Sequence, residues 1–118
     1  MSFEVNPLGD AFGAEIIGLD LSRPLSDAEI DETKRVFYEA GVLVIRDQQM
    51  TPAQHIAFSR RFGNLMIHVL DQFLLPGHPE ILQVTNRKHP DGSAVGLEDA
   101  GRYWHSDISY EAIPAKAP

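Results

Sequence analysis

His105 and Asp107 lie two residues apart in Trp104-His105-Ser106-Asp107. In an extended backbone, side chains at i and i+2 leave the same face, so both would reach one ion with no bend in the chain. A second histidine from elsewhere would complete a 2-His-1-carboxylate facial triad. Such a triad holds non-haem Fe(II) and leaves coordination positions open for oxygen and an organic ligand. Zn(II) accepts the same donor types, and a surface His–Asp hydrogen bond uses the same two residues with no metal at all. The spacing alone discriminates weakly. Five His and nine Asp in 118 residues give about 0.4 His-x-Asp triplets by chance, and about 0.003 with the single Trp directly ahead. Trp104 is expected to be structural, a large apolar body buttressing the strand that carries the pair.

The flanks add more. The segment runs Gly101-Arg102-Tyr103-Trp104-His105-Ser106-Asp107-Ile108-Ser109-Tyr110, followed by Pro114 and Pro118. This string resembles the taurine dioxygenase family of Fe(II)- and 2-oxoglutarate-dependent oxygenases, which includes the 2,4-dichlorophenoxyacetate dioxygenases. Phe12-Gly13-Ala14-Glu15-Ile16-Ile17-Gly18-Leu19-Asp20-Leu21 is similar to the family's opening strand, and Arg23-Pro24-Leu25-Ser26 to its approach to the first helix. Gly41-Val42-Leu43-Val44-Ile45-Arg46-Asp47-Gln48 and Arg61-Phe62-Gly63-Asn64-Leu65 resemble its next two landmarks, all in the family's order. The likeness covers nearly the whole chain, as the N-terminal portion of a longer protein.

Several expectations follow from the resemblance. It implies that His105 and Asp107 are the first two iron ligands, with 2-oxoglutarate as co-substrate decarboxylated to succinate and CO2 while molecular oxygen hydroxylates the substrate. The family's second histidine and its 2-oxoglutarate-pairing arginine come from a later region, so no cofactor-binding residue is assigned within this segment. The implied fold is α+β: the N-terminal part of a double-stranded β-helix (jelly roll) with flanking helices, residues 1–118 forming a single incomplete domain.

His68 stands five residues after Gly63, where the resemblance implies a histidine on a sulfonate group. The alternative is a partly buried imidazole satisfied by backbone. Asp71 stands where the taurine enzymes have a tyrosine, and Arg102 where they have an asparagine. A carboxylate repels a sulfonate, whereas a guanidinium offers an anion a charge-assisted fork; an ordinary solvated loop arginine is the other reading of Arg102. Ile108, just past the metal pair, is taken as a third substrate contact. The expected substrate is a small anionic organic molecule: taurine or another sulfonate, an alkyl sulfate or an aryloxy acid. His55, His78 and His89 read as surface residues, with His89 alone kept as a remote substrate contact.

The elements that must position these residues are legible from capping and periodicity. Phe3 and Val5, then Glu15 to Ile17, read as short strands around a Gly/Pro-containing turn. Ser26 and Glu29 have capping-box spacing, acidic residues follow in the first turns, and Gly41 stops a helix carrying Ile30 and Phe37 on one stripe. The continuous apolar run Val42–Ile45 predicts a strand buried on both faces. Thr51 and Pro52 open a second helix, which Phe58 and Phe62 extend and Gly63 ends. Ile81 to Thr85 should be a further strand. Residues 86–102, polar and glycine-containing, read as a mobile lid leading into the metal pair.

Composition excludes other classes. A formal charge of −7 lacks the basic face that nucleic acid requires, and zero cysteine removes disulfide and thiolate chemistry. No apolar run approaches the ~20 residues of a membrane span, and the N-terminus lacks a secretory pattern; a cytoplasmic protein and a homo-oligomer are expected. Two other readings stay open: a short non-catalytic homologue serving as a binding or assembly module, and a zinc-binding domain. Because the early strands leave Val42–Ile45 as an unpaired apolar edge, residues 1–118 alone are expected to be poorly soluble or to oligomerise.

Overall fold

The computed structural model describes residues 3–69, 71–99, 101–105, 107 and 112. It contains helices and small sheets in two compact units, residues 1–64 and 65–118. In the first unit, β1 (Glu4–Pro7) and β2 (Ala14–Ile17) pair antiparallel, with Val5 opposite Ile16. The connecting turn closes through Leu8 N–H donating to the Gly13 carbonyl at 3.0 Å. After β2 the chain passes through α1 (Asp27–Ala40) and returns as β3 (Leu43–Val44), parallel to β2 with Ala14 opposite Leu43. A parallel neighbour needs such a crossover, which makes β2 the centre of a three-stranded sheet ordered β1-β2-β3.

Both predicted helix starts are capped as their sequences dictate. Ser26 accepts from the backbone of Glu29 while the Glu29 side chain reaches back to Ser26 N–H. Thr51 and Gln54 repeat the arrangement at α2 (Pro52–Arg60), with Pro52 in the first turn, where its missing N–H costs nothing. Gly41 closes α1 at φ +80°, donating to the Phe37 carbonyl at 2.8 Å. The inner stripe of α1 is Ile30, Thr33 and Val36; Phe37 is only half-buried. Thr33 has no exposed surface, and its hydroxyl donates to the Glu29 carbonyl one turn earlier at 2.7 Å.

Period-two alternation on β2 buries Ala14 and Ile16 and leaves Ile17 exposed. Ala14 and Ile16 pack with Leu19, Leu21, Leu25, Ile30 and Val36 into the core of this unit. Two polar struts brace it. The Gln48 amide donates to the Leu19 and Arg46 carbonyls, and its oxygen accepts from Leu21 N–H at 2.8 Å. Arg61 donates to the Leu25 carbonyl at 2.9 Å and to Asp27 at 2.6 Å, tying the end of α2 to the entry of α1. Phe62 lies beyond α2 rather than on it, meeting Phe58 and Phe37 edge-on at 5.3 and 6.0 Å between ring centroids.

Two strand expectations are corrected. Val42–Ile45 yields only a two-residue strand, half-buried rather than buried on both faces, and it is paired along one edge by β2. Leu43 and Ile45 pack against the core of this unit, whereas Val42 is exposed. In the second unit the strand expected at Ile81–Thr85 begins earlier, as β5 (His78–Leu82). A tight turn with Gly77 at φ +80° lets the chain fold straight back on β4 (Leu74–Leu75), which extends pairing to His78.

Residues 86–97 form no helix or strand but carry isolated bridges. Val84 bridges Leu97, and Lys88 bridges Ala94. Leu97 donates to the Gln83 carbonyl at 2.9 Å and accepts from Thr85 at 3.1 Å. An ion pair joins Lys88 to Glu98. At the tip Ser93 donates twice to Asp91, which holds that carboxyl below its ordinary range. Gly96 makes this clasp possible: a Cβ there would sit 2.7 Å from the Gln83 carbonyl oxygen, and a backbone atom cannot step aside as a side chain does. Gly96→Ala is expected to cost about 1–3 kcal/mol as an overpacked site, read by denaturant unfolding, and to speed hydrogen exchange at the Leu97 amide; unchanged exchange there contradicts the clasp.

Candidate metal centre

His105 and Asp107 are placed by the segment that follows the clasp. Asp99 and Arg102 pair across a turn at 2.8 Å, Gly101 within it takes φ +77°, and the chain then runs through Tyr103 and Trp104 to His105. No strand forms at residues 101–105 or 107, so the two donors do not converge by strand alternation. They converge all the same. His105 Nε2 stands 3.2 Å from Asp107 Oδ1, and His105 Nδ1 stands 2.7 Å from the Tyr103 carbonyl oxygen.

That second contact decides the chemistry of the first. A carbonyl oxygen only accepts, so the contact is a hydrogen bond only when Nδ1 carries the hydrogen. In the neutral ring with that tautomer Nε2 is an acceptor, and it stands 3.2 Å from a carboxylate oxygen. Two acceptors at that separation are held favourably by a shared cation, either a proton on Nε2 or a metal ion bonded to both from one side. Adjacent donors about 2.1 Å from one ion and at right angles stand about 3.0 Å apart, close to the separation here. A backbone carbonyl on the far ring nitrogen is also the usual orienting partner of a metal-binding histidine. The separation of the pair is that of two adjacent ligands of one divalent cation. Among the described residues no group of three His, Cys, Asp or Glu is assembled to hold a metal, and both side chains are about half exposed, at 54% and 52%.

The other predicted residues fall as follows. Trp104 is fully exposed, which corrects its expected role as a buried buttress: with no strand paired to this segment there is no sheet face on which to lay the indole. Arg102 donates to Asp99 and lies 5.9 Å from the centroid of the Tyr103 ring. His68 is half-buried in the irregular stretch before a 3-10 turn at Asp71–Phe73, and Asp71 is exposed. Ile108 lies outside the described residues. The structure thus brings together His105 and Asp107, with Arg102 three residues away along the chain. Sequence reasoning missed the Tyr103 carbonyl and Gly101. A backbone oxygen's direction has no signature in residue types, although the glycine itself was visible.

The described hollows lie elsewhere, in the first unit. One of about 330 Å³ is lined by the β1–β2 turn and Val42, and one of about 470 Å³ by β2, Asp20 and Arg46–Gln48. Neither includes a residue of the pair. No helix among the described residues is long and apolar enough to cross a membrane.

Comparison with known proteins points to one source for this segment. The profile described as taurine catabolism dioxygenase TauD, TfdA family matches residues 4–117. The α-ketoglutarate-dependent 2,4-dichlorophenoxyacetate dioxygenase of Cupriavidus pinatubonensis is 32% identical over 125 residues, covering 98% of this chain and 44% of that protein. The α-ketoglutarate-dependent sulfonate dioxygenase of Saccharomyces cerevisiae is 33% identical over 121 residues, covering 94% and 28%. Among solved structures, AAD-2 in complex with Mn(II) and N-oxalylglycine superposes with a TM-score of 0.70 at 30% identity, covering 98% of this chain and 40% of that one. The chain spans less than half the length of these relatives.

Proposed function

This chain belongs to the taurine catabolism dioxygenase TauD, TfdA family, and from that membership we propose that it is the N-terminal part of an Fe(II)- and 2-oxoglutarate-dependent dioxygenase acting on a small anionic organic substrate. The observation that carries the reading is the His105–Asp107 pair, with Nε2 3.2 Å from Oδ1 and Nδ1 2.7 Å from the Tyr103 carbonyl oxygen. In this reading His105 Nε2 and Asp107 are two ligands of one iron, and a third donor and the 2-oxoglutarate anchor come from later in the protein, which completes the jelly roll. Bound iron, with 2-oxoglutarate and oxygen, supplies the oxidation of a C–H bond that side-chain acids and bases cannot perform. The carboxylate of Asp107 offsets part of the ion's charge. The Tyr103 carbonyl, accepting from Nδ1–H, would leave Nε2 as the nitrogen available to the ion. Residues 86–102 act as a lid that leads into the site.

Arg102 binds the substrate's anionic group, together with His68 and Ile108. Its bond to Asp99 is no obstacle, because both partners are 63% exposed and such pairs contribute about 0–1 kcal/mol. Relatives named for an aryloxyacetate and for a sulfonate share the anionic head group. Arg102→Ala is expected to raise KM for an anionic substrate about tenfold or more, the worth of a charge-assisted hydrogen bond, and to leave kcat within about threefold. A fall in kcat at unchanged KM places Arg102 elsewhere.

The function itself is tested by supplying the complete protein with Fe(II), 2-oxoglutarate and oxygen against a panel of aryloxy acids, sulfonates and alkyl sulfates. Succinate formed in step with a hydroxylated product is the expected result. No succinate with any of them, in protein that binds iron, favours a non-catalytic homologue; binding of Zn(II) with no response to Fe(II) favours the zinc domain.

A further inference from the structure

We propose that Gly101 is a positioning residue for His105, needed for its left-handed backbone and not for the room it leaves. The inference rests on the reading of His105 as a metal ligand. Gly101 has φ +77°, a conformation that any residue with a Cβ adopts reluctantly because the Cβ crowds the neighbouring carbonyl. The His105 ring folds back over this turn: an ideal Cβ on Gly101 would lie 3.8 Å from His105 Cε1. That distance is ordinary van der Waals contact, so a methyl group fits and no clash forces a glycine. What the position demands is the backbone.

The consequence runs along four residues. Beyond Gly101 the Tyr103 carbonyl lies 2.7 Å from His105 Nδ1, and His105 Nε2 lies 3.2 Å from Asp107 Oδ1. The ring is thus bounded on three sides: Gly101 at Cε1, the carbonyl at Nδ1 and the carboxylate at Nε2. The Asp99–Arg102 ion pair spans the same turn, but an exposed pair holds geometry weakly. If the residue at 101 leaves the left-handed region, the Tyr103 carbonyl leaves Nδ1. The imidazole then loses both its fixed tautomer and its aim at the ion.

Backbone and space make opposite rankings of the same substitutions. Asparagine tolerates the left-handed region far better than alanine, and a β-branched residue there is an outlier; by size, alanine is the mildest change. The test uses the complete protein with Gly101→Asn, Gly101→Ala and Gly101→Val. Mn(II) affinity is measured by calorimetry, and the His105 tautomer by long-range proton–nitrogen NMR on metal-free protein at alkaline pH. Asn is expected to bind Mn(II) within about threefold of the parent and to keep the hydrogen on Nδ1. Ala is expected to bind about tenfold more weakly, a difference of about 1.4 kcal/mol, and Val more weakly still, both with a mixed tautomer. A ranking by size, with Ala nearest the parent and Asn beyond it, overturns the proposal, and so do three variants indistinguishable from the parent. Should the parent bind no Mn(II), the metal reading fails, while the tautomer ranking still decides the role of Gly101.

Discussion

Replacing either His105 or Asp107 by alanine in the complete protein is expected to abolish the visible charge-transfer band that Fe(II) and 2-oxoglutarate form together under anaerobic conditions. Turnover of 2-oxoglutarate should fall by more than 100-fold. Loss of a partner that merely orients a metal ligand already lowers affinity or activity about 10–100-fold; loss of the ligand itself removes a bond to the ion and opens its site to water. The same substitutions should leave stability nearly untouched, because both side chains are about half exposed and surface changes stay within about 0.5 kcal/mol. That contrast separates the metal site from an ordinary surface hydrogen bond. A surface pair predicts an unaltered band in both variants, and a structural pair predicts a lower melting temperature with the band retained in whatever remains folded.

The largest effect on stability is expected at Ile16. It is 2% exposed on the central strand β2 and belongs to the same cluster as Ile30 and Val36 of α1. Truncation to alanine removes the buried carbons and leaves a cavity, a loss of about 2–5 kcal/mol, seen as a lower denaturant midpoint. Ile17→Ala is the internal control. It lies one residue on, pointing to the other face, and is 44% exposed, so its cost should stay below about 1 kcal/mol. Equal costs for the two would mean that β2 does not present its alternate faces as described.

How much of this was legible in the sequence depended on whether the signal was local. Ser26, Thr51 and Pro52 opened helices where predicted because a cap is decided by neighbours three residues away. Ala14–Ile17 was readable because alternation reports which face is covered. Val42–Ile45 was overread: an apolar run states what a strand can bury, while the layers around it decide what it does bury. The start of β5 was misplaced since the turn at Gly77, and not the apolar run, sets where pairing begins. The bridges Val84–Leu97 and Lys88–Ala94 were not foreseen, because they are backbone pairings that residue types do not report.

The site divides along the same line. His105 and Asp107 stood out as candidates through their flanks rather than their spacing, and the flanking motifs carried the family. Their approach was expected from strand alternation, yet they lie 3.2 Å apart with no strand assigned at residues 101–105 or 107. Trp104 was expected to be buried because indoles usually are, but burial requires a surface to lie on, and the described residues provide none.

The most direct test is an experimental structure of the complete protein with Mn(II) and 2-oxoglutarate. The prediction is a single ion bonded by His105 Nε2 and an Asp107 oxygen, with His105 Nδ1 still donating to the Tyr103 carbonyl and a third protein donor from beyond this segment. An ion seated elsewhere, or His105 bonded through Nδ1 with its Nε2 turned away from Asp107, would contradict the account.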